Sequence, residues 1–329
     1  MKIRITVVLL LLTNLCFSLN ASAANYSNHP VAKAWVKEMV KEGFSEQYLN
    51  KVLKTATRKS SILKALNRPA EKRLSWDQYR SRFIEIKRIQ NGNKFWKKHR
   101  KALERAERQF GVPAQMIVSI IGVETRYGKV TGSYRVIDAL ATIAFDYKRR
   151  ATFFQNELKE FLLLAKEEKL SYTKPKGSYA GAMGFGQFIP SSFRKYAIDF
   201  DGDGKRDIWK NETDAIGSVA NYLAEHGWQQ NAPVIVPAKV SKEINKDWYN
   251  NGLDLKLTLK DWRARSIVGG ANLDQNDKAT LMRLSQSKKD LFWFGLQNFY
   301  VITRYNRSRY YAMAVYQLSQ LIKAENKLG

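Results

Sequence analysis

The sequence predicts a mainly α-helical protein with a small β section inserted toward its C-terminal end. Apolar residues recur at helical spacing through 31–110 and again through 113–228. Short β-like segments follow at 234–238 and 253–259, and the second alternates between apolar and polar residues. Helical spacing returns at 311–322. Because helix signals stand on both sides of the β-like segments, we expect an insertion within a helical protein.

The first 23 residues have the form of a secretory signal peptide. Lys2 and Arg4 precede an apolar run at 7–12, and small residues lead to Ala23. The run is too short and too interrupted for a membrane span. We therefore expect export and cleavage near Ala23. Lipid anchoring at Cys16 is the less favoured alternative, because the residues before it form a poor lipid-attachment signal.

Composition narrows the class of partner. The chain has 44% hydrophobic residues, which indicates a globular protein, and a net charge of +26. Such a charge favours a polyanionic partner, and the export signal favours an anionic wall polymer or a membrane surface over nucleic acid. A basic surface that is merely solvated is the alternative. Cys16 is the only cysteine of the sequence, so the exported chain would carry neither disulfide nor thiol catalyst.

A lone carboxylate stands at the end of an apolar helix. Pro113 suits the first turn of this helix, and three isoleucines share a face with Glu124. A carboxyl group against hydrocarbon resists ionisation, so its pKa rises and it can donate a proton near neutral pH. Cleavage of a glycosidic bond requires such a donor. The alternative is a surface glutamate paired with Arg126 or Lys129.

The segment 199–207 matches the first half of a calcium-binding loop. Aspartates occupy loop positions one, three and five, and a glycine at position six allows the sharp turn. Position twelve, usually a glutamate, is Lys210, so a longer loop would have to close on a later acid. The alternative is a polar turn without an ion. The predicted ligands are Asp199, Asp201, Asp203, the backbone carbonyl of Lys205, and Asp214.

Two further segments suit a carbohydrate. The glycine-rich stretch 177–190 offers Ser178 and Gln187 as hydrogen-bonding groups, and 303–311 is dense in tyrosine and amide side chains. Tight helix packing and a basic helix with buried tyrosines are the respective alternatives.

Other chemistries lack support in the sequence. The three histidines are scattered and no zinc signature is present. The glycine-rich stretch lacks the Gly-Lys-Ser/Thr of a phosphate loop, and no serine–histidine–acid arrangement has a usable context.

Taken together, these segments resemble the lytic murein transglycosylase B family of bacterial peptidoglycan-cleaving enzymes. The resemblance runs from about residue 32 to the C-terminus. Its strongest stretches are 124–128, 181–190, 214–228 and 303–318. It implies a lysozyme-like core with added helical and β sections. The expected order is a signal peptide (1–23), an N-terminal helical section (24–110), the catalytic core with its calcium loop (111–228), a small β section (229–290) and C-terminal helices that complete the core (291–329).

The resemblance also implies a mechanism and a site. Glu124 would be the catalytic acid/base that cleaves the bond between N-acetylmuramic acid and N-acetylglucosamine. The N-acetyl group of the substrate would assist, and the product would carry a 1,6-anhydromuramic end. Arg149 and Arg150 match a pair that meets the carboxylates of the peptide stem, for which guanidinium groups are suited. The implied sugar contacts are Ser178, Gln187, Tyr305, Asn306 and Tyr311.

The expected protein is thus a soluble periplasmic monomer with structural calcium and no organic cofactor. Its partners would be glycan strands, peptide stems and other cell-wall enzymes, and not nucleic acid. A muramidase that hydrolyses the same bond is one alternative. A non-catalytic peptidoglycan-binding protein is another.

Overall fold

The structure is a computed structural model that describes residues 25–67, 74–241, 244–250, 252–287 and 290–328. The predicted signal peptide (1–23), its cleavage site and Cys16 lie outside these ranges. Within them, no helix combines the length and the apolar character needed to cross a membrane.

Helices make up the N-terminal section, as predicted. The hydroxyl of Ser45 accepts a hydrogen bond from the Tyr48 N–H at 3.3 Å and so begins the second helix. Ser75 and Gln78 form a reciprocal capping box at the start of the fourth. The helices are α1 (Pro30–Lys41), α2 (Glu46–Thr55), α3 (Ser60–Leu66), α4 (Trp76–Ser81), α5 (Ile86–Lys98) and α6 (Arg100–Phe110).

The central section is built around α7 (Ala114–Thr125), which is buried on nearly every side. Pro113 is the N-cap of this helix, with an extended backbone, and not a residue of its first turn as predicted. The other elements are β1 (Tyr134–Arg135), α8 (Val136–Asp146), a short 3-10 helix (Lys148–Arg150), α9 (Ala151–Glu167), β2 (Lys176–Gly177), α10 (Pro190–Tyr196) and α11 (Glu212–Glu225). The strands β1 and β2 pair in antiparallel fashion.

The β section contains a four-stranded antiparallel sheet with strand order β3-β8-β7-β5, and a separate pair formed by β4 and β6. Its elements are β3 (Ile235–Pro237), β4 (Lys239–Val240), α12 (Asp247–Asn250), β5 (Leu257–Thr258), α13 (Leu259–Ala264), β6 (Ile267–Val268), β7 (Lys278–Leu284) and β8 (Leu291–Gly295).

Two predictions about this section were wrong in detail. The alternating segment 253–259 is not one strand, because the Thr258 hydroxyl accepts from the Asp261 N–H at 3.1 Å and begins α13. The C-terminal helices do not start at residue 291. Strand β8 comes first and pairs with β7, and α14 (Gln297–Tyr305) and α15 (Arg309–Leu328) follow.

Strand β7 joins the β section to the main core. Leu281 packs into a small core with Trp262 and Phe294, whereas Met282 and Leu284 belong to the large core of the helical body. Successive side chains of a strand point to opposite faces, so one strand serves both cores.

The C-terminal helices return to the central helix. The Ser119 hydroxyl of α7 donates a hydrogen bond to the Val315 carbonyl of α15 at 2.6 Å. The mainly helical fold class and the inserted position of the β section are confirmed.

Candidate active site

Glu124 is the next-to-last residue of α7 and differs from the rest of that helix. The other residues from Ala114 to Thr125 are buried, whereas Glu124 remains partly open to solvent. The hydroxyl of Tyr311 donates a hydrogen bond to Glu124 Oε1 at 2.6 Å. Burial raises the pKa of Glu124 to about 7, and the hydrogen bond from Tyr311 lowers it by a smaller amount. The carboxyl group is therefore poised to donate and accept a proton near neutral pH.

The turn after Glu124 fixes its position. The Thr125 hydroxyl lies 3.1 Å from the Ile121 carbonyl and 3.0 Å from the Phe185 carbonyl, and it accepts from the Gly128 N–H at 3.0 Å. A glycine is required at 128, because φ is +82° and a Cβ would lie 2.1 Å from the Phe185 ring. The end of α7 is thereby joined to the glycine-rich segment.

Among the described residues, neither Arg126 nor Lys129 forms an ion pair with Glu124. Arg126 makes its ion pair with Glu85 at 3.7 Å, so the alternative of a surface pair between Arg126 and Glu124 is not formed. The buried Arg88 donates to the Gly122 carbonyl at 3.3 Å, and Tyr127 donates to the Arg88 carbonyl at 2.8 Å. These hydrogen bonds fix the C-terminal end of α7.

Tyrosines surround the carboxylate. Tyr305 donates a hydrogen bond to the Gly186 carbonyl at 2.6 Å, which places it against the glycine-rich segment. Burial first, and then the nearby charge of Glu124, raises the pKa of Tyr305, of Tyr311 and of Tyr79. All three phenols therefore stay protonated and can act as hydrogen-bond donors at neutral pH.

Tyr79 was missed by the sequence analysis. It lies on α4, with its ring 5.0 Å from that of Phe83 and 5.5 Å from that of Tyr310. No motif marks it. The aromatic spacing in residues 76–83 was the available signal, but it does not show that this helix packs next to Glu124.

Ser178 and Gln187, both predicted sugar contacts, shape the glycine-rich segment. Ser178 Oγ accepts from the N–H groups of Ala180 at 3.3 Å and Ala182 at 3.1 Å. The Gln187 side-chain amide donates to the carbonyls of Thr131 at 3.1 Å and Gly184 at 3.0 Å. In the described part of the chain, the Ser178 hydroxyl hydrogen and the Gln187 Oε1 have no partner, so both remain free for a ligand.

The other predicted substrate residues are exposed. Asn306 follows α14 directly, next to Tyr305. Arg149 lies in the 3-10 helix, and the Arg150 guanidinium lies 4.3 Å from the centre of the Phe153 ring. Across the ranges that the structure covers, neither arginine hydrogen-bonds to the residues around Glu124. Their role in binding stays a prediction.

The predicted calcium loop brings three carboxylates together. One oxygen from each of Asp199, Asp201 and Asp203 lies within 4.8 Å of the others. Among the described residues, none of the three forms an ion pair with a lysine or arginine. Oxygen ligands from closely spaced aspartates suit a hard divalent cation, so this donor set fits calcium.

Asp214 lies next to that cluster, with its Oδ1 3.4 Å from the Asp201 N–H, and it holds the backbone of the same loop. It is fully buried, and its oxygens accept from the N–H groups of Phe200 at 2.8 Å and Asp207 at 2.9 Å. It therefore ties the two ends of the loop together. The Lys205 N–H is held by Asp203 at 2.9 Å. Whether Asp214 and the Lys205 carbonyl also bind the ion stays a prediction.

Comparisons with known proteins show the family of this chain. The family model described as "Transglycosylase SLT domain" matches residues 27–320, and the chain belongs to that family. It is 42% identical over 308 residues to membrane-bound lytic murein transglycosylase B of Escherichia coli K12, covering 91% of this chain and 84% of the relative. The crystal structure of the soluble lytic transglycosylase SltB1 of Pseudomonas aeruginosa superposes with a TM-score of 0.85 at 50% identity, covering 90% of this chain and 99% of that one.

Two similar structures contain informative ligands. Escherichia coli Slt35 was solved in complex with calcium, with a TM-score of 0.82, 41% identity, and coverage of 93% of this chain and 96% of that one. Pseudomonas aeruginosa SltB3 was solved with NAG-anhNAM-pentapeptide, with a TM-score of 0.75, 29% identity, and coverage of 89% and 78%. The protein is a lytic transglycosylase, a lyase that acts on peptidoglycan, and its helical body has the lysozyme-like fold of its neighbours.

Proposed function

We propose that Glu124 alone supplies the acid and the base for cleavage of the bond between N-acetylmuramic acid and N-acetylglucosamine. The protonated carboxyl group gives its proton to the glycosidic oxygen as that bond breaks. The acetamido oxygen of the muramic residue attacks C1 and forms an oxazolinium ion. The Glu124 carboxylate then takes the proton of the C6 hydroxyl, and O6 attacks C1. The acetamido group is released and a 1,6-anhydro end is formed without water.

The isolation of Glu124 among tyrosines carries this proposal. Among the described residues, no second carboxylate contacts Glu124 or its hydrogen-bond donor Tyr311. A two-carboxylate scheme places the second carboxyl group about 5 to 9.5 Å from the acid. Within the part of the chain that the structure describes, no other carboxylate shifts the pKa of Glu124, which favours assistance by the substrate itself. A pKa near 7 allows one group to act first as an acid and then as a base.

We assign sugar recognition to groups that the protein leaves unpaired in the glycine-rich segment and directly after α14. Ser178 has a hydroxyl hydrogen to donate, Gln187 has a carbonyl oxygen that can accept, and Asn306 offers an exposed amide next to Tyr305. Tyr311 keeps the acid in place and contacts the same sugar. Amide, hydroxyl and aromatic side chains together suit a sugar, because a sugar presents hydroxyl groups and apolar ring faces.

Arg149 and Arg150 are proposed to bind carboxylates of the peptide stem. Both are exposed at the start of α9. The ligand of the SltB3 structure carries a pentapeptide, which supports a stem-binding role in this family. Guanidinium groups pair with carboxylates in a bidentate manner.

Calcium is proposed to bind at Asp199, Asp201 and Asp203 and to stabilise the fold. The complex of Slt35 with calcium supports this assignment. The form of residues 1–23 supports action in the periplasm after cleavage near Ala23, and we propose that the protein acts as a monomer.

Mass spectrometry of digested sacculi tests the mechanism. The wild-type protein should release muropeptides with anhydro ends, and Glu124→Gln should release them about a thousandfold more slowly. Glu38→Gln, an exposed residue of α1 with an ion pair to Lys41, is the matched control and should behave as wild type. Reducing muramic ends in the wild-type digest would show that water is the acceptor and that the protein is a muramidase. Binding to sacculi without any cleavage would favour a non-catalytic role.

A further inference from the structure

A basic groove lies outside the residues that surround Glu124. It has a volume of about 770 Å³ and lies between the end of α5, the exposed side of α6 and the calcium loop. Glu104 and Asp201 are its acidic lining residues. Its cationic lining residues are Lys97, Lys98, Arg100, Lys101, Arg105 and Arg108.

The spacing of these cations forms a row. Lys101, Arg105 and Arg108 lie at helical spacing on one face of α6. Lys101 and Arg108 are about 10 Å apart along the helix axis, given a rise of about 1.5 Å per residue. Each of the three side chains is exposed. A linear array of this kind fits successive anionic groups on an extended polymer better than a single small anion.

Internal ion pairs account for part of the charge. Lys98 pairs with Glu212 at 3.0 Å, and Arg100 pairs with Glu104 at 2.8 Å. Lys97, Lys101 and Arg108 have no acidic partner within the part of the chain that the structure describes. These three cations are therefore available to an external anion.

The side chain of Arg105, which lines the groove, is held in place by Phe200. Its guanidinium lies 3.8 Å from the centre of the Phe200 ring and also donates to the Phe200 carbonyl. Phe200 in turn belongs to the loop that Asp214 holds closed. The row of cations is thus attached to a part of the molecule whose backbone is already ordered.

We infer that this groove, hereafter the α6 groove, binds the carboxylates of peptide stems on a second stretch of peptidoglycan. The inference rests on the proposed function, because it takes peptidoglycan as the polymer. Peptide stems carry repeated carboxylates along a strand, and the exposed lysines and arginines supply matching charge. The α6 groove would keep the enzyme attached to the wall while Glu124 acts on another strand.

Binding to sacculi in a Glu124→Gln background tests the inference, because that protein does not consume its ligand. Lys97, Lys101 and Arg108 are replaced together by glutamine. The matched control replaces the exposed Lys33, Lys37 and Lys54 of α1 and α2, which removes the same charge from another surface. We expect binding by the groove variant to fall about tenfold, since each exposed ion pair contributes a small favourable term. The control should bind within about twofold of its parent.

Glycan strands without peptide stems provide the second arm. On them, the groove variant and the control should bind equally. A deficit of the groove variant that persists on stem-free strands would overturn the assignment to stem carboxylates. Equal losses for both triple variants on intact sacculi would also overturn it, because net charge and not the groove would then explain binding. Neither outcome depends on cleavage, so this experiment and the product analysis fail independently.

Discussion

Glu124 and the calcium loop place the same chemical group in opposite settings. Among the described residues, Tyr311 is the hydrogen-bond donor to Glu124, and burial raises the pKa of Glu124 to about 7. Asp199 is also half-buried, but it accepts from the backbone N–H groups of Gly202 at 2.7 Å, Asp203 at 3.1 Å and Gly204 at 2.7 Å. Backbone N–H groups surround Asp199, whereas desolvation of Glu124 favours its protonated form. The two environments therefore suit the two proposed roles, proton transfer for Glu124 and cation binding for Asp199.

The largest expected effect comes from removing the proton donor. Glu124→Gln keeps the shape of the side chain and its hydrogen bond to Tyr311 but cannot transfer a proton. We expect the rate of anhydro-product formation to fall about a thousandfold, in the range for loss of a general acid/base. Release of muropeptides from sacculi, followed by chromatography, measures it. A residual rate above about a tenth of wild type would contradict the role of Glu124.

The calcium loop should respond to its cation and not to the chemistry at Glu124. Calcium at about 100 times its dissociation constant should raise the free energy of unfolding by about 2.7 kcal/mol if it binds the native state alone. Thermal melts with calcium and with chelator measure this.

A double variant identifies the ligands. Asp201→Asn with Asp203→Asn should abolish the calcium response, and the exposed Asp247→Asn should keep it. Identical melting curves with calcium and with chelator in the wild type would argue against a stabilising ion.

The raised pKa of Glu124 also predicts that the free energy of unfolding depends on pH. Below about pH 4.5 the carboxyl group is neutral in both the folded and unfolded states. Between about 4.5 and 7 the unfolded state releases its proton first, so the free energy of unfolding falls as pH rises. Above pH 7 the wild type should be less stable than Glu124→Gln by about 2 kcal/mol, after allowance for partial screening by solvent. Urea titrations at pH 4 and pH 8 compare them. A difference that does not change with pH would show that burial does not perturb this group.

The smallest expected effect is on the pH profile. The hydrogen bond from Tyr311 favours the charged form of Glu124, so Tyr311→Phe should raise its pKa further. The alkaline limb of the rate profile should move upward by about one pH unit, the equivalent of one hydrogen bond to a charged group. Tyr310→Phe, next in sequence and hydrogen-bonded to Ser285 at 2.7 Å, is the control. A downward shift would mean that Tyr311 does not stabilise the carboxylate.

Much of the site followed from local sequence. The helical face that ends at Glu124, the aspartates at alternate positions and the tyrosine-rich segment could all be recognised from spacing and residue type. These features depend on neighbours along the chain, where period and turn chemistry apply.

The remainder depends on contacts between distant segments. Tyr79 comes to Glu124 because α4 packs near α15, and no local pattern encodes that packing. Asp214 accepts backbone N–H groups from both ends of the loop, a contact that spacing alone does not show, and its role as a metal ligand stays a prediction. The alternating leucines at 253–259 predicted a strand, but the Thr258 cap begins helix α13 there. At 253–259 a helix cap prevailed over the alternating pattern, and the contacts of Tyr79 and Asp214 join segments that are distant in sequence.

Strand β7 contributes side chains to both cores, and this determines whether the β section can be removed from the helical body. Leu281 supports the inserted section while Met282 and Leu284 fill the body that holds Glu124. Excising the insertion would remove side chains from the interior of the remainder and open cavities there. The helical body and the β section should therefore unfold in a single cooperative transition, and neither should fold on its own.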